Sequence, residues 1–177
     1  MRIFKIILIS IVLILGFIVL GFLDHADRSI VSSKAASEKE LKDFYSYKTP
    51  EEIKQAYERH FNDVNYRFPR CEVKKVSIYK NIPVISRLTK KEVDKNQIID
   101  FVNNPENFDW DETTWNINDS EYILRFYDFE NKEIGKIWVS ITDCGMTESV
   151  PFAPTMKFGG LSLIGTEKLK KMIDEIY

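Results

Sequence analysis

The opening stretch decides what kind of molecule this chain makes. Ile6 to Leu23 reads IILISIVLILGFIVLGFL, eighteen residues without a charge. As an α-helix rising about 1.5 Å per residue it is roughly 27 Å long, close to the hydrocarbon thickness of a bilayer. The span extends back to Ile3, because Lys5 reaches the headgroups along its own apolar stem. Gly16 and Gly21 are tolerable inside lipid, and their separation of five residues is off the small-xxx-small spacing of a packed helix dimer. The expectation is a transmembrane signal-anchor helix over residues 1–23, with residues 3–23 in contact with the lipid bilayer. The competing reading is a cleaved signal peptide and a secreted product. Against it, the apolar core is longer than the roughly 7–15 residues of such peptides, and no small-residue cleavage site follows it directly. Arg2 and Lys5 on a very short tail place the N-terminus in the cytoplasm. The rest of the chain is therefore expected to be extracytoplasmic, on a single-pass protein of the cell envelope.

Composition narrows the remainder. The 177 residues hold 25 Lys and Arg against 27 Asp and Glu, a net charge of -2, which speaks against a nucleic-acid partner. Hydrophobic residues make up 44%, enough for a packed core rather than a disordered chain. Residues 24–36 (DHADRSIVSSKAA) are small and polar and read as a juxtamembrane spacer. Residues 37–177 read as one extracytoplasmic domain.

That domain is expected to be α+β. Three hydroxyl-acid pairs, Ser37 with Glu40, Thr49 with Glu52 and Thr89 with Glu92, carry the spacing of a helix capping box. Pro50 suits the first turn of the second helix, where its missing N–H costs nothing, and Ile53, Ala56, Tyr57 and Phe61 form its apolar stripe. A third helix is expected from about Lys90 to Asn103, with Val93, Ile98, Phe101 and Val102 inward, stopped by Asn104-Pro105. A last helix runs from about Thr166 to Ile176. Strands are expected at Cys71–Tyr79, Pro83–Leu88, Glu121–Phe129 and Ile134–Thr142. In the last of these Gly135, Ile137, Val139 and Ile141 alternate with Lys136, Trp138, Ser140 and Thr142, giving one core face. The final two strands form a hairpin in which Asn131 takes the left-handed conformation. The whole is three to four helices packed on an antiparallel sheet of about four strands.

Cys71 and Cys144 are the two cysteines, neither in a C-x-x-C pair. In an oxidising compartment they are candidates for one disulfide, and two buried thiols are the alternative. His60 has no second His at metal-ligand spacing, no G-x-S-x-G elbow occurs, and Gly159-Gly160-Leu161-Ser162 reads as a turn with a helix cap rather than a phosphate loop. Cys144 follows the best strand but has no base named beside it, as a nucleophile would need. No catalytic residue, cofactor or metal is therefore assigned. Asn118-Asp119-Ser120 is a glycosylation sequon, relevant only in a eukaryotic secretory pathway.

Charge is segregated along the chain. Between Asn104 and Asn131 stand eight acids and one base, Arg125, with Phe108, Trp110 and Trp115 interleaved. Phe108, Asp109, Trp110, Asp111, Glu112 and Trp115 form the candidate surface for a basic protein partner, as aromatic anchors rimmed by acids. The same acids are too irregular for an EF-hand loop, and the plainer reading has the rings tucked into the domain. From Arg67 to Lys95 nine bases face three acids. That segment could meet anionic lipid or a cell-wall polymer, or complement the acidic stretch within the fold, or be ordinary strand-edge lysines. The leading expectation is a membrane-anchored, non-catalytic binding domain of the envelope, of inhibitor or immunity type. A small envelope hydrolase and a structural subunit of a membrane complex are the alternatives.

Overall fold

The computed structural model describes residues 2–33, 49–59, 67–110, 117–142, 145–151, 153–156 and 160–177. The candidate helix at Ser37, His60, Phe61, Asp111, Glu112, Trp115 and Cys144 lie outside them. The described residues form an α+β fold with four α-helices and one five-stranded antiparallel sheet.

Helix α1 runs from Arg2 to Ser33. Its segment Ile3–Asp24 is long and apolar enough to cross a membrane, and none of it is buried inside the protein. The helix does not end where the apolar run does. Most of the expected spacer is a continuation of it, as far as Ser33.

Helix α2 (Pro50–Arg59) starts as its capping box requires. The Glu52 N–H donates to Thr49 Oγ1 and the Thr49 N–H to Glu52 Oε2, each at 3.2 Å. It buries Ile53, Ala56 and Tyr57. The expected capping box at Thr89 does not form. Thr89 closes a 3-10 turn, Ser86–Thr89, in which its Oγ1 accepts from the Lys80 N–H at 2.8 Å and donates to the Ser86 carbonyl at 2.7 Å. Its hydroxyl is thereby committed elsewhere. Helix α3 (Lys95–Asn103) begins instead at Asp94, whose carboxylate accepts from the Asn96 and Gln97 N–H groups. Helix α4 (Leu163–Asp174) is capped by Ser162, which accepts from Gly165, so the glycine-serine segment is the expected cap.

The strands are β1 (Lys75–Lys80), β2 (Lys91–Val93), β3 (Tyr122–Tyr127), β4 (Glu133–Ser140) and β5 (Met146–Val150), in the spatial order β2-β1-β3-β4-β5. Two strand expectations need correction. Pro83–Leu88 is a loop and turn: Pro83 lacks an N–H, and Val84 has φ 69, which breaks the extended run. Its place beside β1 is taken by β2. The fifth strand was not expected because its core-facing residues are polar. Thr147 pairs with Val139 and Ser149 with Ile137, so both point to the apolar side. The β3–β4 hairpin turns through Asn131 at φ 61, with Asp128 accepting from the Glu130 and Lys132 N–H groups.

One sheet face carries Val76, Ile78, Leu124, Phe126, Ile137 and Val139, and these share a core with Tyr57, Ile98, Phe101, Leu169 and Ile173 of the helices. Phe68 packs edge-on to Phe126 at 5.0 Å and fills the space above Gly135, where a side chain would collide with its ring. The other face departs from the expected exposed polar row: Lys136, Trp138 and Ser140 are all buried.

Candidate functional site

The acidic loop grows out of α3. Asn104 Oδ1 accepts from the Glu106 N–H at 3.0 Å and starts the 3-10 turn Pro105–Asn107. The chain is then stitched to the approach of α4. Phe108 bridges Leu161, the Asp109 N–H donates to the Gly160 carbonyl at 3.1 Å, and the Ser162 N–H donates to the Asn107 carbonyl at 3.0 Å. Gly165 is obligatory here, because a Cβ would stand 2.1 Å from the Asn107 carbonyl oxygen.

Within this frame the candidate partner residues divide. Phe108 and Trp110 are buried. Trp110 lies 5.3 Å from the Tyr57 ring and its indole N–H donates to the Pro105 carbonyl at 2.9 Å. Neither ring can anchor a partner without leaving the core, so the loop's aromatic half is structural at these two positions. Asp109, between them, is exposed. Two residues not singled out from the sequence stand close by. Leu163 is 87% exposed and Ile164 is 59% exposed, at the first turn of α4. The signal was present in Leu161-Ser162-Leu163-Ile164, where the cap at Ser162 turns the following pair outward. It was missed because the helix was expected to begin at Thr166.

A concave feature lies beside α3, where the acidic loop leaves it. An open cleft of about 480 Å³ is lined by Arg67, Pro69, Ile99, Asp100 and Asn104, among others. Its wall is fixed by Asn103, which is buried. The Asn103 side chain accepts from the Phe68 N–H at 2.9 Å and donates to the carbonyls of Phe68 at 2.6 Å and Ile99 at 2.9 Å. Its own carbonyl accepts from the Tyr57 hydroxyl at 3.2 Å. Burial pushes the Tyr57 phenol up to about 12, against the lowering pull of Arg67. The lining residues offer one guanidinium and one carboxylate, with no nucleophile beside a base.

The second sheet face holds two buried cations, Arg125 and Lys136. Arg125 Nη1 pairs with Glu133 Oε2 at 3.2 Å, and Lys136 Nζ with Glu133 Oε1 at 3.3 Å. Arg125 also lies over the Tyr79 ring at 5.1 Å, and Lys136 lies near the Trp138 ring at 5.4 Å. The Tyr79 and Tyr127 hydroxyls meet at 3.1 Å, and burial, then this hydrogen bond, raises the Tyr127 phenol well above its usual range. Both cations are nearly inaccessible and share one carboxylate, so this array is built into the fold and does not offer an open charged surface to a ligand.

Among the described residues no group of three or more His, Cys, Asp and Glu could hold a metal ion. Cys71 is exposed and is not bonded to any described residue, while its candidate partner Cys144 lies outside them. No family model, curated protein or solved structure matches this chain.

Proposed function

We propose that this protein is a membrane-anchored, extracytoplasmic binding domain of the cell envelope, of inhibitor or immunity type. The observation that carries the reading is α1. Its surface is exposed around the whole circumference through Ile3–Val19, while its Asp24 end touches the folded domain. A fully apolar helix packed on no core needs lipid, because water contact over that area is strongly unfavourable. The domain is then held at a membrane, where a modest surface becomes effective through raised local concentration.

The partner surface is the acidic loop in a revised form. Asp109, Asp111 and Glu112 supply the charge, and Leu163 and Ile164 supply the apolar contact that Phe108 and Trp110 cannot. Such a patch suits a basic protein segment with one apolar side chain at its centre. A photo-crosslinking residue at position 163 should capture one protein in envelope membranes. Combined reversal of Asp109, Asp111 and Glu112 to Lys should abolish that capture. If it survives reversal together with Ile164→Asp, the surface is wrong. The anchor is tested separately: the native protein should resist alkaline carbonate extraction, and a reporter active only outside the cytoplasm, fused after Tyr177, should be active.

A further inference from the structure

The basic segment that the partner surface does not use contains a loop whose depth is fixed by the anchor. We propose that the β1–β2 connection, Asn81–Lys90, with Lys91 of β2, is a second membrane contact. In this contact Ile82 and Leu88 enter the interfacial layer of an anionic leaflet beside α1, and Arg87, Lys90 and Lys91 meet its headgroups. This rests on the reading that α1 spans the bilayer.

Depth comes first. Ile3–Asp24 is 22 residues, about 33 Å of helix, against a hydrocarbon core of about 30 Å. Gly21 to Asp24 therefore lie at the headgroup boundary. The loop touches α1 at that level. The Val84 N–H donates to Asp24 Oδ2 at 3.4 Å, and a side chain added at Gly21 would meet Val84 Cγ2 at 3.9 Å. Wherever the boundary places Gly21, it places Val84 as well.

The chemistry of the loop matches that depth. Leu88 is 71% exposed and Ile82 is 40% exposed, and Pro83, next to Ile82, is exposed as well. Single exposed apolar side chains are ordinary on protein surfaces. Here they coincide with exposed Arg87, Lys90 and Lys91 and with the exit of the anchor. Apolar side chains flanked by cations are the composition of an interfacial anchor. The first acid, Glu92, comes one step further along β2, away from this edge, opposite Ser77.

The loop is also held rigidly. Val84 adopts φ 69, a left-handed backbone that a β-branched residue rarely takes. The Ser86–Thr89 turn is locked by the Thr89 hydroxyl bonds, and the Tyr177 hydroxyl donates to the Thr89 carbonyl at 2.7 Å. Strain held in place by surrounding contacts points to a functional demand on the loop's shape.

The opposite end of the sheet supplies an internal control. Lys80 pairs with Tyr122 near the anchor and Lys75 with Tyr127 at the far end, about 17 Å away along β1. Beyond it Phe129, 62% exposed, stands at the hairpin tip. The full chain is reconstituted in phosphatidylcholine–phosphatidylglycerol vesicles with an environment-sensitive fluorescent amino acid at position 88 or 129. Emission at 88 should be blue-shifted and quenched by nitroxide-labelled lipid about threefold or more over that at 129. Quenching at 88 should fall severalfold with Lys90→Glu combined with Lys91→Glu, each cation near an anionic surface being worth about fivefold in partition. Equal water exposure at 88 and 129 in a carbonate-resistant protein would overturn the contact and leave the anchor standing. Quenching at 88 that ignores both charge reversal and phosphatidylglycerol would overturn its anionic character. Extraction of the protein by carbonate would overturn the anchor and the contact together.

Discussion

The two faces of the sheet are both buried, one by apolar packing against the helices and the other by an apolar cluster of Tyr79, Ile123 and Trp138 set beside two buried cations. On one, Val76, Ile78, Leu124, Phe126, Ile137 and Val139 meet the helices, and the driving force is removal of apolar area from water. On the other, Ser77, Tyr79, Arg125, Lys136 and Trp138 are equally inaccessible, although two of them are cations. Burial of a charge is unfavourable until it is paired, so this face depends on geometry: Glu133 spanning Arg125 and Lys136, with aromatic rings beneath both. The first face tolerates any well-fitting apolar set. The second tolerates few partial changes, because each cation shares the same carboxylate.

The contrast is broken most severely on the apolar side. Phe126→Ala removes a fully buried ring that packs on Phe68, and should lower stability by about 3–5 kcal/mol in urea denaturation of the full chain in detergent. On the other face Arg125→Ala should cost about 3 kcal/mol, since it leaves Glu133 with half its partners and opens space beside Tyr79. Arg125→Met combined with Lys136→Met and Glu133→Leu should recover most of that loss, because the two buried members of the array are then replaced by apolar side chains of similar length. If the triple variant is no better than Arg125→Ala, the array contributes more than mutual charge pairing and the comparison fails.

High pH probes both faces at once. Tyr57 on the core side has its phenol raised to about 12, and Tyr127 on the charged side is also raised, in both cases first by burial. The unfolded phenols ionise near pH 10, so between there and the folded value the unfolded state has lost protons that the folded state keeps. Stability from these groups is complete below about pH 10 and falls as pH rises toward 12. For Tyr57 the loss is about 3 kcal/mol at the upper end. Thermal unfolding scanned from pH 9 to 12 should show the decline, and Tyr57→Phe should flatten it.

What could be read from the sequence follows the same division. The apolar face was legible: alternation in β4 and the 3.6-residue stripes of α2, α3 and α4 each report burial by hydrophobicity alone. The charged face was not, because Lys136 and Arg125 carry no mark in sequence of being buried and paired. Thr89 illustrates a different limit. Its spacing to Glu92 is that of a capping box, yet the same hydroxyl is taken by Lys80, nine residues back, through a sheet edge that local pattern does not reveal. Phe108 and Trp110 were legible as a cluster but not as core or surface, since an aromatic beside an acid suits both. Leu163 and Ile164 were hidden by a boundary placed one turn too late.

The smallest expected effect lies where the two chemistries meet, on β5. Thr147 occupies the apolar face opposite Val139, is 4% exposed, and its hydroxyl has no hydrogen-bond partner among the described residues. Ser149, two residues on and also on the apolar side, instead accepts from the Ala153 N–H at 3.1 Å. A buried hydroxyl without a partner has lost its water and gained nothing, so an apolar group of the same shape should be preferred there. Thr147→Val should therefore raise stability by about 0.5–1 kcal/mol, while Ser149→Ala should lower it by about 1 kcal/mol because the Ala153 N–H is left unpaired. Opposite signs two residues apart on one strand would show that polarity on this face is tolerated only where it is satisfied. Equal signs would mean that β5 responds to strand propensity rather than to the face it presents.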